Sequence, residues 1–179
     1  MRDVEEKIIN AQLTGKKLRY IKRDKHYIVR DLITCLAVCH NVTPSIENNV
    51  KAYQASSPDE IALVKIAEQL NFTLIERDTN YITLMNPLKK KKKFKIENIF
   101  PFTSESKRMG IILRHVKTNR IMFYLKGADS VMKDKVPETL RGFVLDECED
   151  LSREGLRTLV LAQKFLSEKD FREWSRQYV

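Results

Sequence analysis

The chain has 179 residues, is 42% hydrophobic and carries a formal charge of +9 from 33 basic and 24 acidic side chains. That length and apolar content suit one domain with a real core and exclude wholesale disorder. No apolar run approaches the roughly 20 residues of a membrane span, no signal-peptide pattern opens the sequence, and Cys35, Cys39 and Cys148 lack framework spacing, so a soluble chain with reduced thiols in a cytosolic compartment is expected.

Residues 1–30 are charged and weakly periodic, and read as a weakly structured arm with a short helix over Val4–Leu13. The domain proper is expected over 31–179. Leu32, Cys35, Leu36 and Cys39 fall at helical spacing, so a helix is expected over Asp31–His40, ending before Pro44. Ser45–Lys51 reads as a surface loop. Ser57-Pro58-Asp59-Glu60 is a strong helix start, with Ser57 as N-cap, Pro58 in the first turn and Glu60 where a capping box places its carboxylate. Leu63, Val64, Ala67 and Leu70 supply its apolar stripe.

The period then changes. Phe72–Glu76, Tyr81–Met85, Phe94–Phe100, Arg108–Arg114 and Arg120–Lys126 are short, branched and aromatic segments separated by turn residues. This pattern predicts antiparallel strands joined by hairpins, with the lysine run Lys89–Lys93 at a hairpin tip. Helical spacing returns over Ala128–Lys133 and Glu138–Arg153, with Gly155 as a C-cap glycine. A strand over Arg157–Phe165 and a helix over Glu168–Gln177 complete the chain. A contiguous block of strands flanked by helices gives an α+β fold, an antiparallel β-sheet of about six strands.

Five glycines, at 15, 110, 127, 142 and 155, form neither a Walker A loop nor a dinucleotide fingerprint. Cys35, Cys39 and His40 lie on or near one helix but lack a second ligand pair, so buried small residues explain the cysteines better than a metal site. No serine, cysteine or histidine has the company a nucleophile needs, and no catalytic residue is expected in this chain.

Some positions could carry binding. Lys126-Gly127-Ala128-Asp129 runs from a strand end into a helix, where the lysine can reach a phosphate oxygen and the glycine lets a ligand approach the backbone. Phe102 sits in a polar loop and could stack on a base, or anchor the core. Glu60 could accept from an adenine amino group, or only cap its helix. Arg157 could pair with phosphate, or with Glu154 or Glu149. Position alone favours the structural explanation for each.

Their joint occurrence points elsewhere. His40-Asn41-Val42-Thr43-Pro44, Tyr53 to Glu60 (YQASSPDE), Pro101-Phe102 through Ser106-Lys107-Arg108-Met109, Lys126-Gly127-Ala128-Asp129 and Glu154-Gly155-Leu156-Arg157-Thr158-Leu159 occur in this order. Together they resemble the nucleotide-binding domain of type IV P-type ATPases, the phospholipid flippases, in the form of the Neo-like branch. The resemblance covers Asp31 to Val179.

It implies that Phe102 stacks on adenine, Lys126 lies beneath the nucleotide, Glu60 stands near the adenine edge and Arg157 contacts the phosphate region. Ser106, Lys107 and Met109 would line the same pocket, with Gly127 and Ala128 completing its wall. Where many flippases have an arginine, Ser106 stands, so one phosphate-side charge is missing. The family's phosphorylated-aspartate motif Asp-Lys-Thr-Gly-Thr is absent. The chain is therefore expected to be a monomeric domain of a larger pump. It would bind ATP, with Mg²⁺ arriving on the nucleotide, and present it to a separate phosphorylation domain. The implied partners are that domain, an actuator domain and, through membrane segments, phospholipid. The parent would lie in Golgi, endosomal or other endomembranes.

The composition leaves two rivals, a basic nucleic-acid-binding module and an anionic-membrane tether carried by Lys89–Lys93. The sheet lacks the aromatic pattern of an RNA-recognition fold, which weakens the first.

Overall fold

The computed structural model describes residues 24–47 and 50–178. The arm helix expected over Val4–Leu13 lies outside them. The chain divides into two units, Met1–Asp31 and Leu32–Val179. Helix α1 (Lys25–Val38) crosses that division and starts earlier than the expected Asp31. In its first turns Arg30 donates to Asp31 Oδ1 at 2.8 Å and lies over the Tyr27 ring. The core of the second unit begins with Ile33, Cys35, Ala37 and Val38 on the later turns.

A two-stranded antiparallel ribbon follows, β1 (Thr43–Glu47) with β2 (Val50–Gln54), Thr43 opposite Gln54. This replaces the expected loop over Ser45–Lys51. Both strands are short and polar, and neither alternates clearly, so only pairing between them reveals the structure. Pro44 is tolerated because a two-stranded ribbon has nothing but edges.

Helix α2 (Pro58–Gln69) starts as its sequence predicts, with the Ser57 side chain accepting from the Asp59 amide at 3.3 Å and Pro58 in the first turn. Val64 and Ala67 are buried, whereas Leu70, expected in the apolar stripe, is exposed. Leu70 is the C-cap and Asn71 turns left-handed at φ 64°, which carries the chain away from the stripe.

Six strands then build one antiparallel sheet in sequence order: β3 (Thr73–Arg77), β4 (Tyr81–Met85), β5 (Lys91–Phe100), β6 (Arg108–His115), β7 (Ile121–Gly127) and β8 (Val160–Leu166). The sheet is the α+β architecture expected. The lysine run is not confined to a hairpin tip. Lys91, Lys92 and Lys93 belong to β5, paired with Met85, Leu84 and Thr83. Extended backbone projects alternate lysines into solvent, and the Lys93 ammonium lies 4.3 Å from the centre of the Tyr81 ring. Like charges are thus accommodated inside a strand. The last strand starts at Val160, later than the expected Arg157.

Both faces of the sheet are covered. On one, Leu74, Ile82, Leu84, Met109, Ile111, Leu113 and Tyr124 pack with Cys35, Val38, Val64 and Ala67. On the other, Leu125 and Val160 meet Met132 of α3 (Asp129–Met132) and Cys148 of α4 (Glu138–Arg153). Phe100 stacks edge-on with Phe123 and with Trp174 of α5 (Glu168–Tyr178). Gly155 ends α4 at φ 79°, the left-handed cap its position predicts.

Candidate functional site

One end of the sheet gathers the singled-out residues. The β5–β6 loop carries Phe102 to Lys107, β7 ends in Lys126 and Gly127, and α2 brings Glu60 to them. Register explains why Lys126 is buried. It stands opposite Met109 in the β6–β7 pair, on the face that holds Ile111, Leu113 and Tyr124. Only 4% of Lys126 is exposed, and its ammonium donates to Glu60 Oε1 at 2.6 Å. A cation this enclosed requires a partner. A capping box would return the Glu60 carboxylate to its own helix start. Here it is used otherwise, since Oε1 accepts from Lys126 and Oε2 from the Asn41 amide at 3.1 Å. Lys126 is accordingly held by a carboxylate beneath the surface, in keeping with the structural explanation that its position alone favours.

Arg157 stands nearby in the segment before β8. It pairs at 2.7 Å with Asp59, the neighbour of Glu60, and not with Glu154 or Glu149. Its side chain is 87% exposed, so this bond is worth little.

Phe102 is 59% exposed, which removes the core-anchor explanation. Its loop is shaped by Ser106. The Thr103 hydroxyl donates to Ser106 Oγ at 2.8 Å, and the Ser106 amide donates back to Thr103 Oγ1 at 3.0 Å. Ser106 Oγ also reaches the Arg108 carbonyl at 3.3 Å. Lys107 then adopts a left-handed φ of 48°, with its side chain in solvent. Met109 is 1% exposed and is a core residue at the base of the site.

Gly127 is required by this chain's own backbone. A Cβ there would lie 2.7 Å from Arg108 Cβ and 2.8 Å from the Lys107 carbonyl oxygen. That carbonyl accepts the Ala128 amide at 3.1 Å, locking the end of β7 to the β5–β6 loop.

A polar cluster lies beneath Glu60. His40 is fully buried, donates from Nε2 to the Ala37 carbonyl at 2.9 Å, and accepts at Nδ1 from the Val42 amide at 3.1 Å and Arg77 Nη1 at 3.0 Å. A carbonyl only accepts and an amide only donates, so the ring is the neutral Nε2–H tautomer. Burial, then the Arg77 charge beside it, push its pKa down to about 3. Burial likewise lowers the Arg77 pKa. Cys35 is shifted well up, first by its bond with Cys39 and then by burial.

A profile described as "P-type ATPase, cytoplasmic domain N" matches residues 28–178. The chain belongs to this N-domain family. Relatives of the N domain include the phospholipid-transporting ATPase NEO1 of Saccharomyces cerevisiae, 42% identical over 94% of this chain. The neo1 phospholipid-transporting ATPase of Schizosaccharomyces pombe is 46% identical over 87% of it. A probable phospholipid-transporting ATPase IIB of Homo sapiens is 38% identical over 94%. The chain spans only 14 to 16% of the length of these relatives. No described helix is long and apolar enough to cross a membrane.

In the N domain the structure brings Glu60 and Lys126 into direct contact and sets Arg157 beside them through Asp59. Sequence reasoning missed Arg77 and gave Asn41 no role. Arg77 is one residue of a strand pattern, and a backbone amide leaves no mark in the side-chain sequence.

Proposed function

We propose that this N domain is the ATP-binding domain of a phospholipid-translocating P-type ATPase. Phe102 stacks on adenine, with Glu60 at the base edge and Lys126 beneath it, bonded to the Glu60 carboxylate. Arg157 exchanges Asp59 for the phosphate region, and Lys107 adds a second mobile cation. Gly127 and Ala128 form the wall between base and phosphates, Ser106 shapes its margin and Met109 lies at its base. Mg²⁺ accompanies ATP on the phosphate oxygens. The parent pump, in an endomembrane, supplies the phosphorylation domain whose aspartate receives the γ-phosphate, the actuator domain and the membrane path for phospholipid.

The observation that carries this reading is an aromatic ring left 59% exposed at the sheet end where the buried Lys126–Glu60 pair lies. Stacking on such a ring is worth about 1–3 kcal/mol per base. The chain's own contribution is positioning and charge neutralisation. An ATP titration followed by amide NMR tests it. Shifts are expected around Glu60, Phe102, Lys126 and Arg157, with affinity weakened at least about fivefold by Phe102→Ala, the equivalent of about 1 kcal/mol. Absence of shifts at these positions refutes ATP binding here. Steady phosphate release that disappears in Phe102→Ala would refute the claim that the chain only binds.

A further inference from the structure

His40 is 0% exposed, so it cannot touch a ligand, yet every polar atom of its ring is engaged. Its two backbone partners lie on either side of it in sequence. Ala37 belongs to the last turn of α1, whose carbonyls have no helical donors of their own, and Val42 immediately precedes β1. One imidazole therefore closes the turn by which the chain leaves α1. Asn41 lies inside that turn, and its amide donates to Glu60 Oε2 at 3.1 Å. Glu60 Oε1 is held independently by Lys126 at 2.6 Å. The carboxylate thus has one fixed point on the sheet and a second on the turn, and two points are needed to set the plane of a carboxylate.

Arg77, at the end of β3, supports the arrangement from below. Its guanidinium donates to His40 Nδ1 at 3.0 Å, which reserves that atom as an acceptor and keeps it available to the Val42 amide. An apolar residue of similar volume at position 40 would leave the Val42 amide, the Ala37 carbonyl and the Arg77 guanidinium without this partner. Buried groups left so are strongly disfavoured, and the turn would rearrange to satisfy them.

We propose that His40, backed by Arg77, is a positioning residue for ATP binding: it pins the turn whose Asn41 amide fixes the plane of the Glu60 carboxylate. The proposal rests on the reading of this site as the ATP site. It extends the binding machinery to residues that never meet the nucleotide.

The test compares wild type, His40→Leu, His40→Asn and Arg77→Met in the full chain, at a temperature well below melting. The Asn41 amide and the Glu60 carboxyl-carbon signals are read without ligand, and the ATP dissociation constant is measured separately. In His40→Leu both signals should move and ATP binding should weaken about tenfold, the loss of one hydrogen bond to a charged group. The amide oxygen in His40→Asn takes the place of Nδ1 as acceptor, so this variant should restore most of the affinity. Arg77→Met should move the same two signals, and it carries the test if His40→Leu does not fold. A purely structural histidine would lower the melting temperature while leaving the Glu60 signal and the ATP affinity of the folded variant unchanged; that result overturns the proposal. Wild type that shows no ATP-dependent shift overturns the site reading, and with it the ligand role of His40. Glu60 signals unmoved by His40→Leu in a chain that binds ATP overturn the positioning role alone.

Discussion

Acidifying the chain from about pH 8 to about pH 5 probes the buried neutral state of His40 before most carboxylates titrate. The unfolded chain takes up a proton at His40 near the ordinary value of 6.5, whereas the folded chain refuses it until about 3. Between those values the unfolded state binds more protons, so folding stability falls as pH falls. The slope approaches about 1.4 kcal/mol per pH unit, and the loss from pH 8 to pH 5 comes to about 2 kcal/mol from this one residue. Burial enforces the neutral form first, then the Arg77 guanidinium on Nδ1 and, more weakly, Lys126. Urea unfolding followed by the fluorescence of Trp174, the single tryptophan, reads the stability. His115 contributes in the same direction, its pKa being lowered by burial and then by Lys92, Arg120 and Lys117. The decisive quantity is therefore the difference between wild type and His40→Asn in stability lost over the same interval. A difference of about 2 kcal/mol is expected. Equal losses in the two proteins would refute a buried neutral imidazole.

Further substitutions test packing beneath the site and helix propensity in α4. Glu60→Leu leaves the Lys126 ammonium buried without its carboxylate and should destabilise the chain by about 3–5 kcal/mol, while Glu60→Leu combined with Lys126→Met should recover much of that loss. Additive losses in urea unfolding would show that the two side chains are not coupled. Gly127→Ala drives a methyl group against the backbone of Lys107 and Arg108, with an expected loss of about 1–3 kcal/mol. Gly142, within α4, has nothing within 4 Å of an added Cβ, so Gly142→Ala should stabilise by up to about 1 kcal/mol. A stabilising Gly127→Ala in thermal melts would contradict the close strand contact.

Much of the fold was legible because its signals are local. Ser57-Pro58 marked the start of α2, the β4 boundaries followed from Tyr81–Met85, and Gly155 marked the end of α4. Each depends on neighbours in sequence, through a cap, an alternation or a left-handed turn. The β1–β2 ribbon and the start of β5 were not legible in this way. Polar strands acquire their conformation from the strand they pair with, and three lysines are compatible with either a solvated tip or an extended strand.

The site divides along the same line. The sequence alone determined which residues stand in family order, and so put forward Glu60, Phe102, Lys126 and Arg157 as one candidate group. It could not choose between capping and ligand roles for Glu60, because both start from the same position in the helix. Tertiary structure added partners that neither role had named. It turned the Glu60 carboxylate towards Lys126 and the Asn41 amide, turned Arg157 to Asp59, and buried His40 against a half-buried Arg77. The reason is physical. Partners as far apart in sequence as Glu60 and Lys126 meet only when α2 packs on the sheet, and only enclosure makes an unpaired charge so unfavourable that their pairing becomes obligatory.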